Sequence, residues 1–547
     1  MITMKFGRAL QLGIVAGASG LLLVACGSKS SQQHLADHQT LNWVETANLP
    51  TMDPSKSTDV VSGKALNNVD EGLLRLAANA KVKPGVAKSY DVSKDGKTWT
   101  FNLRHSKWSN GDAVTAQDFV YGWQRTVKPS TASQYAYLFD HVANYDAVNK
   151  GKLAPSKLGV KADGKYKVVV TLSKPQSYFK YLVGSPAFFP QNQKVVQKYG
   201  SKYAANATDA VYNGPFKLTG WTGTNNSWHL VKNKQYWNAK ATKLNRINFQ
   251  VIKDQGTWYS QYQGGKVDEI ITDGTQYRHL KHDKEMQLRN GASTFYLELN
   301  QRKGFFKDNV NARKAISLAI NRQQLTKNVL ADGSQPAKGL VPTNLAEYKG
   351  TDFAKAAYVK SGTAYNLKQA TALWKQALKQ SGKSSISLEL LADDTPNGKK
   401  TAEFIQSQLT KLPGLKVTTS NVPFNVRLSR SNDGDFDMVI GGWIADFPDA
   451  ISFSSLFTST NAYNRGKWQN STYDTAVKNA EGKDANDAAA RWQDLTTAEK
   501  TLMQQQGIVP LYQQTQAQML KTKVKGVVYF PTGAQWDFSH AYISDAK

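Results

Sequence analysis

Apolar and polar residues alternate along several short segments of the chain, as they do in half-buried β-strands. Segments 97–103 (KTWTFNL), 165–172 (KYKVVVTL) and 385–391 (SISLELL) follow this pattern, which predicts a strand in each. Segments 315–320 (AISLAI) and 370–378 (ATALWKQAL) instead carry apolar residues at helical spacing. Because helix precedes strand in this half of the chain, we expect α/β layering there.

The chain begins with a basic start followed by an apolar stretch. Lys5 and Arg8 precede a run rich in Leu, Ala and Gly that ends in LLLVA before Cys26, the single cysteine. This order predicts a secretory signal peptide over residues 1–25, and the Gly, Ser and Gln within the run argue against a membrane-spanning helix. A cysteine directly after LVA resembles the lipobox of bacterial lipoproteins. In that class the thiol carries a diacylglyceryl group, whose two acyl chains suffice for stable anchoring.

Residues 26–39 are small and polar, which predicts a flexible tether between the lipid and a folded part that starts near Thr40. A chain of 547 residues is long enough for several domains. Its 40% hydrophobic and 11% aromatic content indicates a large folded body. No second long apolar run follows the signal peptide, so we expect no other membrane-spanning segment.

The chain is strongly basic, with a formal net charge of +27. Such an excess often indicates nucleic-acid binding, but the basic residues are scattered and form no block of five or more. We therefore expect no nucleic-acid partner. Anionic lipid headgroups or acidic wall polymers are more plausible partners for an exported protein, and a surface charge that maintains solubility explains the excess equally well.

Motifs for catalysis or metal binding are incomplete along the chain. Segment 382–384 (GKS) ends like a phosphate-binding loop but lacks the earlier glycine. Segment 433–437 alternates Asp like a calcium loop but lacks the glycine and glutamate that complete one. His34 and His38 have a metal-ligand spacing but lie in the polar tether. We expect no enzyme activity, no cofactor and no metal site.

Three parts of the chain resemble a known family. The first runs from 49 (LPTMDP) to 121, the second comprises 213–218 (NGPFKL) and 234–238 (KQYWN), and the third is 436–447 (FDMVIGGWIADF). Their order and spacing are similar to extracellular solute-binding protein family 5, the oligopeptide-binding lipoproteins of ABC importers. The resemblance covers nearly all of the chain after the signal peptide.

This resemblance implies an α/β fold of the periplasmic-binding-protein type, with two lobes, a hinge and three domains (cluster C type). Domain I is expected to comprise chain segments on both sides of the other two domains. The expected division is 1–25 signal peptide, 26–39 tether, 40–70 domain I, 71–190 domain II, 191–298 domain I, 299–512 domain III and 513–547 domain I.

The family implies a lipid-anchored receptor on the extracellular face of the cell membrane. Its lobes would close over an extended oligopeptide and deliver it to the permease and ATPase of an ABC importer. Peptide main chain would pair with protein main chain like an added strand, which gives affinity without reading sequence. We expect the receptor to be a monomer.

Carried over by position, the peptide-binding residues are Thr58, Val60, Tyr135, Gly442, Trp443, Ile444, Asp446 and Tyr512. Asp446 is expected to meet the α-ammonium of the peptide. The backbone from Gly442 to Ile444 is expected to pair with the first peptide residues, because paired glycines permit close backbone approach.

Thr58 and Val60 lie where the family has the pairing segment of the opposite lobe, and Tyr135 and Tyr512 match cleft tyrosines. The chain also departs from the family. Some members carry arginines that meet the peptide carboxylate, where this chain has Ile440 and Ser431 with Arg430 adjacent; where those members have Glu, it has Thr58. Recognition of the peptide carboxylate is therefore left open.

The same sequence features are also compatible with two other functions. The same fold could bind another solute, such as a pheromone, a metal complex or a sugar, because a fold does not fix its ligand. A basic surface adhesin that binds acidic polymers is an alternative of another class.

Overall fold

The structure, a computed structural model, describes residues 34–77, 81–176, 178–302, 304–485 and 487–545. The expected signal peptide over 1–25, the expected lipidation site Cys26 and most of the expected tether lie outside these residues. Within the described ranges, no helix is long and apolar enough to cross a bilayer.

The first sheet pairs the start of the folded chain with strands from 216–251. Its order is β1–β12–β11–β10, and β1 runs parallel to β12 with Thr40 opposite Arg246. Leu41 and Trp43 alternate along β1 and are both buried in a core under this sheet. The strands are β1 (Thr40–Glu45), β10 (Phe216–Thr219), β11 (Ser227–Lys232) and β12 (Arg246–Val251).

The second sheet contains two of the strands that alternation predicts, over 97–103 and 165–172. Its order is β4–β5–β9–β8, and its strands are β4 (Ala87–Val92), β5 (Thr98–Leu103), β8 (Val160–Ala162) and β9 (Lys167–Thr171). The next helix after β5 begins behind Thr115, whose backbone N–H donates to the Asp118 carboxylate over 2.7 Å. Such a capping box satisfies donors that a helix start leaves without partners.

The third sheet is the largest and is mixed. Its order is β13–β21–β14–β20–β18–β19, with β15 also paired to β21. Strands β18, β19 and β20 are parallel to one another, whereas β14 is antiparallel to both β20 and β21. The strands are β13 (Glu269–Ile271), β14 (Met286–Leu299), β15 (Gln335–Pro336), β18 (Ile386–Asp393), β19 (Leu415–Val422), β20 (Met438–Ile444) and β21 (Val509–Leu520).

Helices cover the sheets and confirm both helical segments predicted from the sequence. The α-helices are α1 (Val60–Val69), α2 (Ala116–Val127), α3 (Tyr145–Asn149), α4 (Phe179–Leu182), α5 (Gln193–Tyr199), α6 (Gln255–Gln263), α7 (Gly274–Leu280), α8 (Val310–Ala319), α9 (Arg322–Gln324), α10 (Phe353–Ala356), α11 (Lys360–Thr363), α12 (Leu367–Gln380), α13 (Pro396–Leu409), α14 (Phe424–Asp433), α15 (Ile451–Ser454), α16 (Ser471–Glu481) and α17 (Ala488–Gln505). The predicted 315–320 lies in α8 except for Ile320 at its C-cap, and 370–378 lies in α12; the two helices pack on each other.

Short strands pair off outside the three sheets. They are β2 (Leu74–Ala77) with β3 (Lys81–Pro84), β6 (Ser106–Lys107) with β7 (Ala113–Val114), β16 (Glu347–Tyr348) with β17 (Thr351–Asp352), β22 (Val524–Lys525) with β25 (Tyr542–Ile543), and β23 (Val528–Tyr529) with β24 (Trp536–Asp537).

The end of the expected tether packs on the C-terminal segment of the chain. The backbone N–H of Ala36 donates to the Ile543 carbonyl over 3.0 Å, and the buried Gln39 side chain donates to the same oxygen over 2.8 Å. Packed structure therefore already includes residues 35–39, ahead of the expected start near Thr40, because these polar groups find partners on β25.

Two long strands coincide with expected domain boundaries. The boundaries at 298/299 and 512/513 fall on β14 and β21, which pair with each other. Their register shifts between Asn290 and Thr294 of β14, so an irregularity lies in both strands close to these positions. The division of the chain into three domains stays a prediction.

Candidate functional site

One cavity brings together all eight positions that the sequence singled out. It has a volume of about 310 Å³. The expected binding residues that line it are Thr58, Val60, Tyr135, Gly442, Trp443, Ile444, Asp446 and Tyr512. Their roles toward a ligand stay predictions, but their common location requires four distant parts of the chain to meet.

Strand β20 presents an unpaired edge to this cavity. On one side it pairs with β14 along its whole length, from Leu299 opposite Met438 to Ser293 opposite Ile444. On the other side β18 pairs only with Met438 and Val439. The second edge of 440–444 therefore has no strand neighbour within the described chain, and its backbone groups are available to an added strand.

Because Gly442 has no side chain, the space beside this strand edge stays open. A Cβ atom at Gly442 would lie 3.1 Å from the ring of Phe295, whereas one at Gly441 would lie 3.5 Å from the ring of Tyr296. Phe295 is in turn stacked on Tyr512, with ring centroids 4.8 Å apart. Tyr512 is only 2% exposed, so it forms the floor of the cavity rather than a projecting wall.

Asp446 lies two residues beyond the end of β20. Its backbone N–H donates to the Ser452 hydroxyl over 2.8 Å, and its Oδ1 accepts from the Tyr135 hydroxyl over 3.2 Å. Its Oδ2 is buried and has no hydrogen-bond partner among the described residues. Burial raises the pKa of Asp446 to about 7, although the hydroxyl groups of Tyr135 and Ser452 near the carboxyl lower it. An unpartnered carboxylate oxygen in such a place is suited to a cationic group.

Aromatic rings enclose this carboxylate. Trp443 and Tyr463 meet edge to face at 4.6 Å, and the ring of Tyr135 lies 5.8 Å from that of Tyr463. Trp443 is 7% exposed, and its indole N–H is buried without a partner among the described residues. The rings exclude water from Asp446, which is the physical cause of its raised pKa.

The N-terminus of helix α1 faces the same cavity. Asp59 caps it, since its Oδ1 accepts from the backbone N–H groups of Val61 and Ser62 over 3.0 and 2.8 Å. Val60 is the first helical residue and is 42% exposed. Its N–H is one of the donors that a helix start leaves free. Val60 therefore offers a single backbone N–H to the cavity, and its pairing with a ligand stays a prediction.

The structure also places cations in the cavity that the sequence patterns did not indicate. Arg427 is 6% exposed, its Nε has no partner among the described residues, and its Nη2 lies 3.5 Å from Asp393. Arg430, whose part in carboxylate recognition the sequence left open, pairs with Glu389 and Asp435 over 2.6 and 2.7 Å. Arg427 precedes Ser431 by one helical turn, so helical periodicity from the family position was the one signal that could have indicated it.

Further missed residues are Arg465 and Glu269, which also line the cavity. Glu269 is 1% exposed, one of its oxygens accepts from Gln518 over 2.8 Å, and its Oε2 has no partner among the described residues. Burial raises its pKa to about 8, while the Gln518 bond and the nearby charge of Lys64 lower it. No sequence motif marks either residue.

Comparison with known proteins gives a match along the whole chain. Residues 81–465 match the family "Bacterial extracellular solute-binding proteins, family 5 Middle". The chain is 36% identical over 558 residues to the dipeptide-binding protein of Lactococcus lactis subsp. cremoris, which covers 99% of this chain and 100% of that protein. The structure of Listeria monocytogenes OppA bound to peptide has a TM-score of 0.89 and 38% identity, and covers 93% of this chain and 100% of that one.

The shared architecture defines the class first: the mixed α/β, two-lobed fold is that of the periplasmic-type solute-binding proteins. Within that class, the chain belongs to family 5 of the bacterial extracellular solute-binding proteins. Its relatives are binding proteins rather than enzymes. The family and the fold class predicted from the sequence are therefore confirmed.

Two structures of one relative differ in their structural similarity to this chain, although their sequence identities to it are nearly equal. The murein tripeptide binding protein MppA of Escherichia coli has a TM-score of 0.85 at 29% identity, over 94% of this chain and 100% of that one. The unliganded open form of MppA has a TM-score of 0.60 at 28% identity, over 94% of this chain and 99% of that one. Because the identities are nearly equal, the lower score reflects a different conformation. The present structure is therefore unlike the open form.

Proposed function

We propose that this protein is a lipid-anchored extracellular receptor that captures oligopeptides in a closing cleft and delivers them to an ABC importer. The observation that carries the proposal is the unpaired edge of β20 followed directly by Asp446, whose buried Oδ2 has no partner among the described residues. The names of the relatives support it, since they bind dipeptides or oligopeptides.

An extended peptide fits this arrangement as an added strand. Residues 440–444 would exchange main-chain hydrogen bonds with the first peptide residues, which gives affinity that is independent of peptide sequence. The free N–H of Val60 would donate to a peptide carbonyl from the opposite side. Trp443 and Tyr463 would cover the amino end.

The amino end of the peptide would donate to Asp446. A charge-assisted hydrogen bond between an α-ammonium and a buried carboxylate is strong. When one partner of such a buried pair is removed, the other charge is left unpaired, which costs about 3–5 kcal/mol. That cost corresponds to a loss of affinity of roughly 100-fold or more.

Calorimetry with a peptide library and the full-length chain tests the proposal. We expect nanomolar-to-micromolar binding by the wild type, and a loss of roughly 100-fold or more in Asp446→Asn. Asp435→Asn is the matched control, because Asp435 pairs with Arg430 outside the cavity, and it should bind like the wild type. Equal affinity for N-acetylated and free peptides would show that Asp446 is not the anchor, and no binding to any library peptide would refute peptide capture.

The anchoring part of the proposal rests on Cys26, outside the described residues. Cys26→Ser should release the protein from the membrane fraction and prevent incorporation of labelled fatty acid. The permease and ATPase of the importer are the proposed partners, and the receptor would act as a monomer. Its proposed domains are I (residues 40–70, 191–298 and 513–547), II (71–190) and III (299–512). Retention of Cys26→Ser on membranes would contradict the lipid anchor alone.

A further inference from the structure

A group of metal-ligand side chains lies beside the cavity and has no part in the proposed peptide site. One ligand atom each of Asp140, His141 and Glu481 lies within 4.8 Å of the other two. Asp140, Glu481 and Asp446 line a small cavity of about 20 Å³. A volume of that size holds about one water or one ion.

His141 gives an independent reason to assign a ligand there. Its side chain is only 6% exposed. Its Nε2 lies 4.0 Å from Oδ1 of Asp140, which is too long for a hydrogen bond. Its Nδ1 is buried and has no partner among the described residues. The nitrogen nearest Asp140 is Nε2, so Nε2 is the atom that a metal ion in this group would bind.

The electrostatics around the group favour a cation. Three carboxylates, those of Asp140, Glu481 and Asp449, lie near one another here, against the two cations Lys174 and Arg491. The charge of Glu481 acts on Asp140, and that of Asp449 acts on Glu481, so like charges face each other in this place. Two facing carboxylates of this kind are stabilised by a divalent cation between them.

Two cationic side chains nearby do not fill this place. Arg491 is held by both oxygens of Asp449, over 3.0 and 2.9 Å. Lys174 lies beside the backbone of Gly482, where a Cβ atom would be 2.9 Å from its Nζ. Neither makes an ion pair with the carboxylates of Asp140 or Glu481 within the described chain. The two carboxylates thus lack a direct cationic partner.

We propose that Asp140, His141 and Glu481 form a binding site for a divalent transition-metal ion, with Zn²⁺ as the best-suited ion. One imidazole and two carboxylates, completed by water, are a ligand set that Zn²⁺ accepts. Ligand atoms around one zinc ion lie about 3–4 Å apart, so a small rotamer change of Asp140, whose side chain is 34% exposed, closes the site. Glu481 ends helix α16, where the helix dipole also favours a cation.

The ion would join two distant parts of the chain. Asp140 and His141 follow the short helix Gln134–Phe139, which contains Tyr135, whereas Glu481 ends α16. No motif in the sequence indicated a metal site, because the ligands are separated by more than half of the chain. The expectation of no metal site is thus the one that this proposal reverses.

Titration of the untagged full-length chain with Zn²⁺ tests the site. We expect one equivalent to bind with micromolar or tighter affinity, and at least a roughly 10-fold loss in His141→Gln and in Glu481→Gln. His229→Gln is the matched control, because His229 also has a buried Nδ1 without a described partner but lies in β11, and it should bind Zn²⁺ like the wild type.

Circular dichroism checks that each variant is folded. If a variant is not folded, a crystal of the wild-type protein soaked in Zn²⁺ tests the site instead. An anomalous peak between Asp140, His141 and Glu481 supports the site. Absence of the peak, or equal Zn²⁺ binding by Glu481→Gln, His141→Gln and His229→Gln, overturns it. Neither result depends on peptide binding, so failure here leaves the proposed function untouched.

Discussion

At Asp446, burial and the lack of a second hydrogen-bond partner together set the charge state of the carboxyl. Its Oδ1 is bonded to Tyr135, whereas its Oδ2 is buried and has no partner among the described residues. Burial raises its pKa to about 7, so near neutral pH the free protein holds this carboxyl partly protonated. An ammonium placed against Oδ2 would favour the charged form and lower that pKa.

Peptide affinity should therefore depend on pH through Asp446. The carboxyl must lose its proton to accept the ammonium, so protonation competes with the peptide as the pH falls below about 7. We expect affinity for free peptides to fall by up to ~10-fold per pH unit between about pH 7 and pH 5. Calorimetry over this range measures it. N-acetylated peptides are the control, and a slope that is equally steep for them would assign the effect to another group.

Strand β20 is the element that organises the site. Pairing with β14 along its full length fixes its position, while β18 leaves 440–444 with an open edge. Helix α1 faces it with a free N–H at Val60, because Asp59 satisfies only the next two donors. In the proposed function, one unpaired edge and one helix start would supply main-chain groups to a peptide from two sides, without reading its side chains.

A side chain at Gly442 should obstruct this element. In Gly442→Val the Cβ would lie 3.1 Å from the Phe295 ring, and the added methyl groups would occupy space beside the strand edge. We expect peptide affinity to weaken by about 1–3 kcal/mol, the usual cost of overfilling a packed place, as measured by calorimetry. Gly441→Ala, whose Cβ meets Tyr296 at an ordinary 3.5 Å, should retain affinity. Loss in both variants, or in neither, would contradict the strand-edge geometry.

At the scale of the whole molecule, a buried ion pair joins early and late parts of the chain. Arg75 donates to Asp537 from Nε and from Nη2, over 3.1 and 2.8 Å, and the two side chains are 5% and 2% exposed. Burial alone would raise the pKa of Asp537, but the charge and bonds of Arg75 outweigh it and lower that pKa below its usual 3.8. The fold thus depends on a contact between segments almost a whole chain apart.

Asp537→Asn should destabilise the protein because it removes the closer of two charge partners of the buried Arg75, which keeps only Glu71 at 3.4 Å. We expect a loss of ~3–5 kcal/mol in the free energy of unfolding at neutral pH, measured by urea denaturation. A lowered pKa stabilises the fold fully above the unfolded value of about 4, and this contribution fades as the pH falls through the folded pKa. The difference between wild type and variant should therefore shrink in acid.

An exposed pair provides the control for this measurement. Asp163 and Lys167 are 2.8 Å apart, but their side chains are 57% and 43% exposed. Asp163→Asn should leave the urea midpoint unchanged, since water screens such pairs. If Asp537→Asn behaves like Asp163→Asn, the Arg75 pair does not support the fold.

Much of the fold could be predicted from local pattern. Alternation placed β5, β9 and β18, and helical spacing placed α8 and α12, because side-chain periodicity depends only on nearby residues. The family resemblance led to the confirmed fold class and placed Asp446, Trp443 and Gly442 at one cavity. The resemblance did not show that Val60 begins a helix, because that depends on the capping of the helix by Asp59, which the matched positions do not describe.

The sequence by itself determined the class of protein, the main strands and helices, and the position of the acidic residue behind Gly442 and Trp443. Only the tertiary structure decided which groups lack partners among the described residues: the open edge of β20, Oδ2 of Asp446, Nε of Arg427 and Nδ1 of His141. The physical reason is that periodicity and motifs are properties of neighbouring residues. Whether a buried polar atom has a partner depends instead on distant segments packing against it.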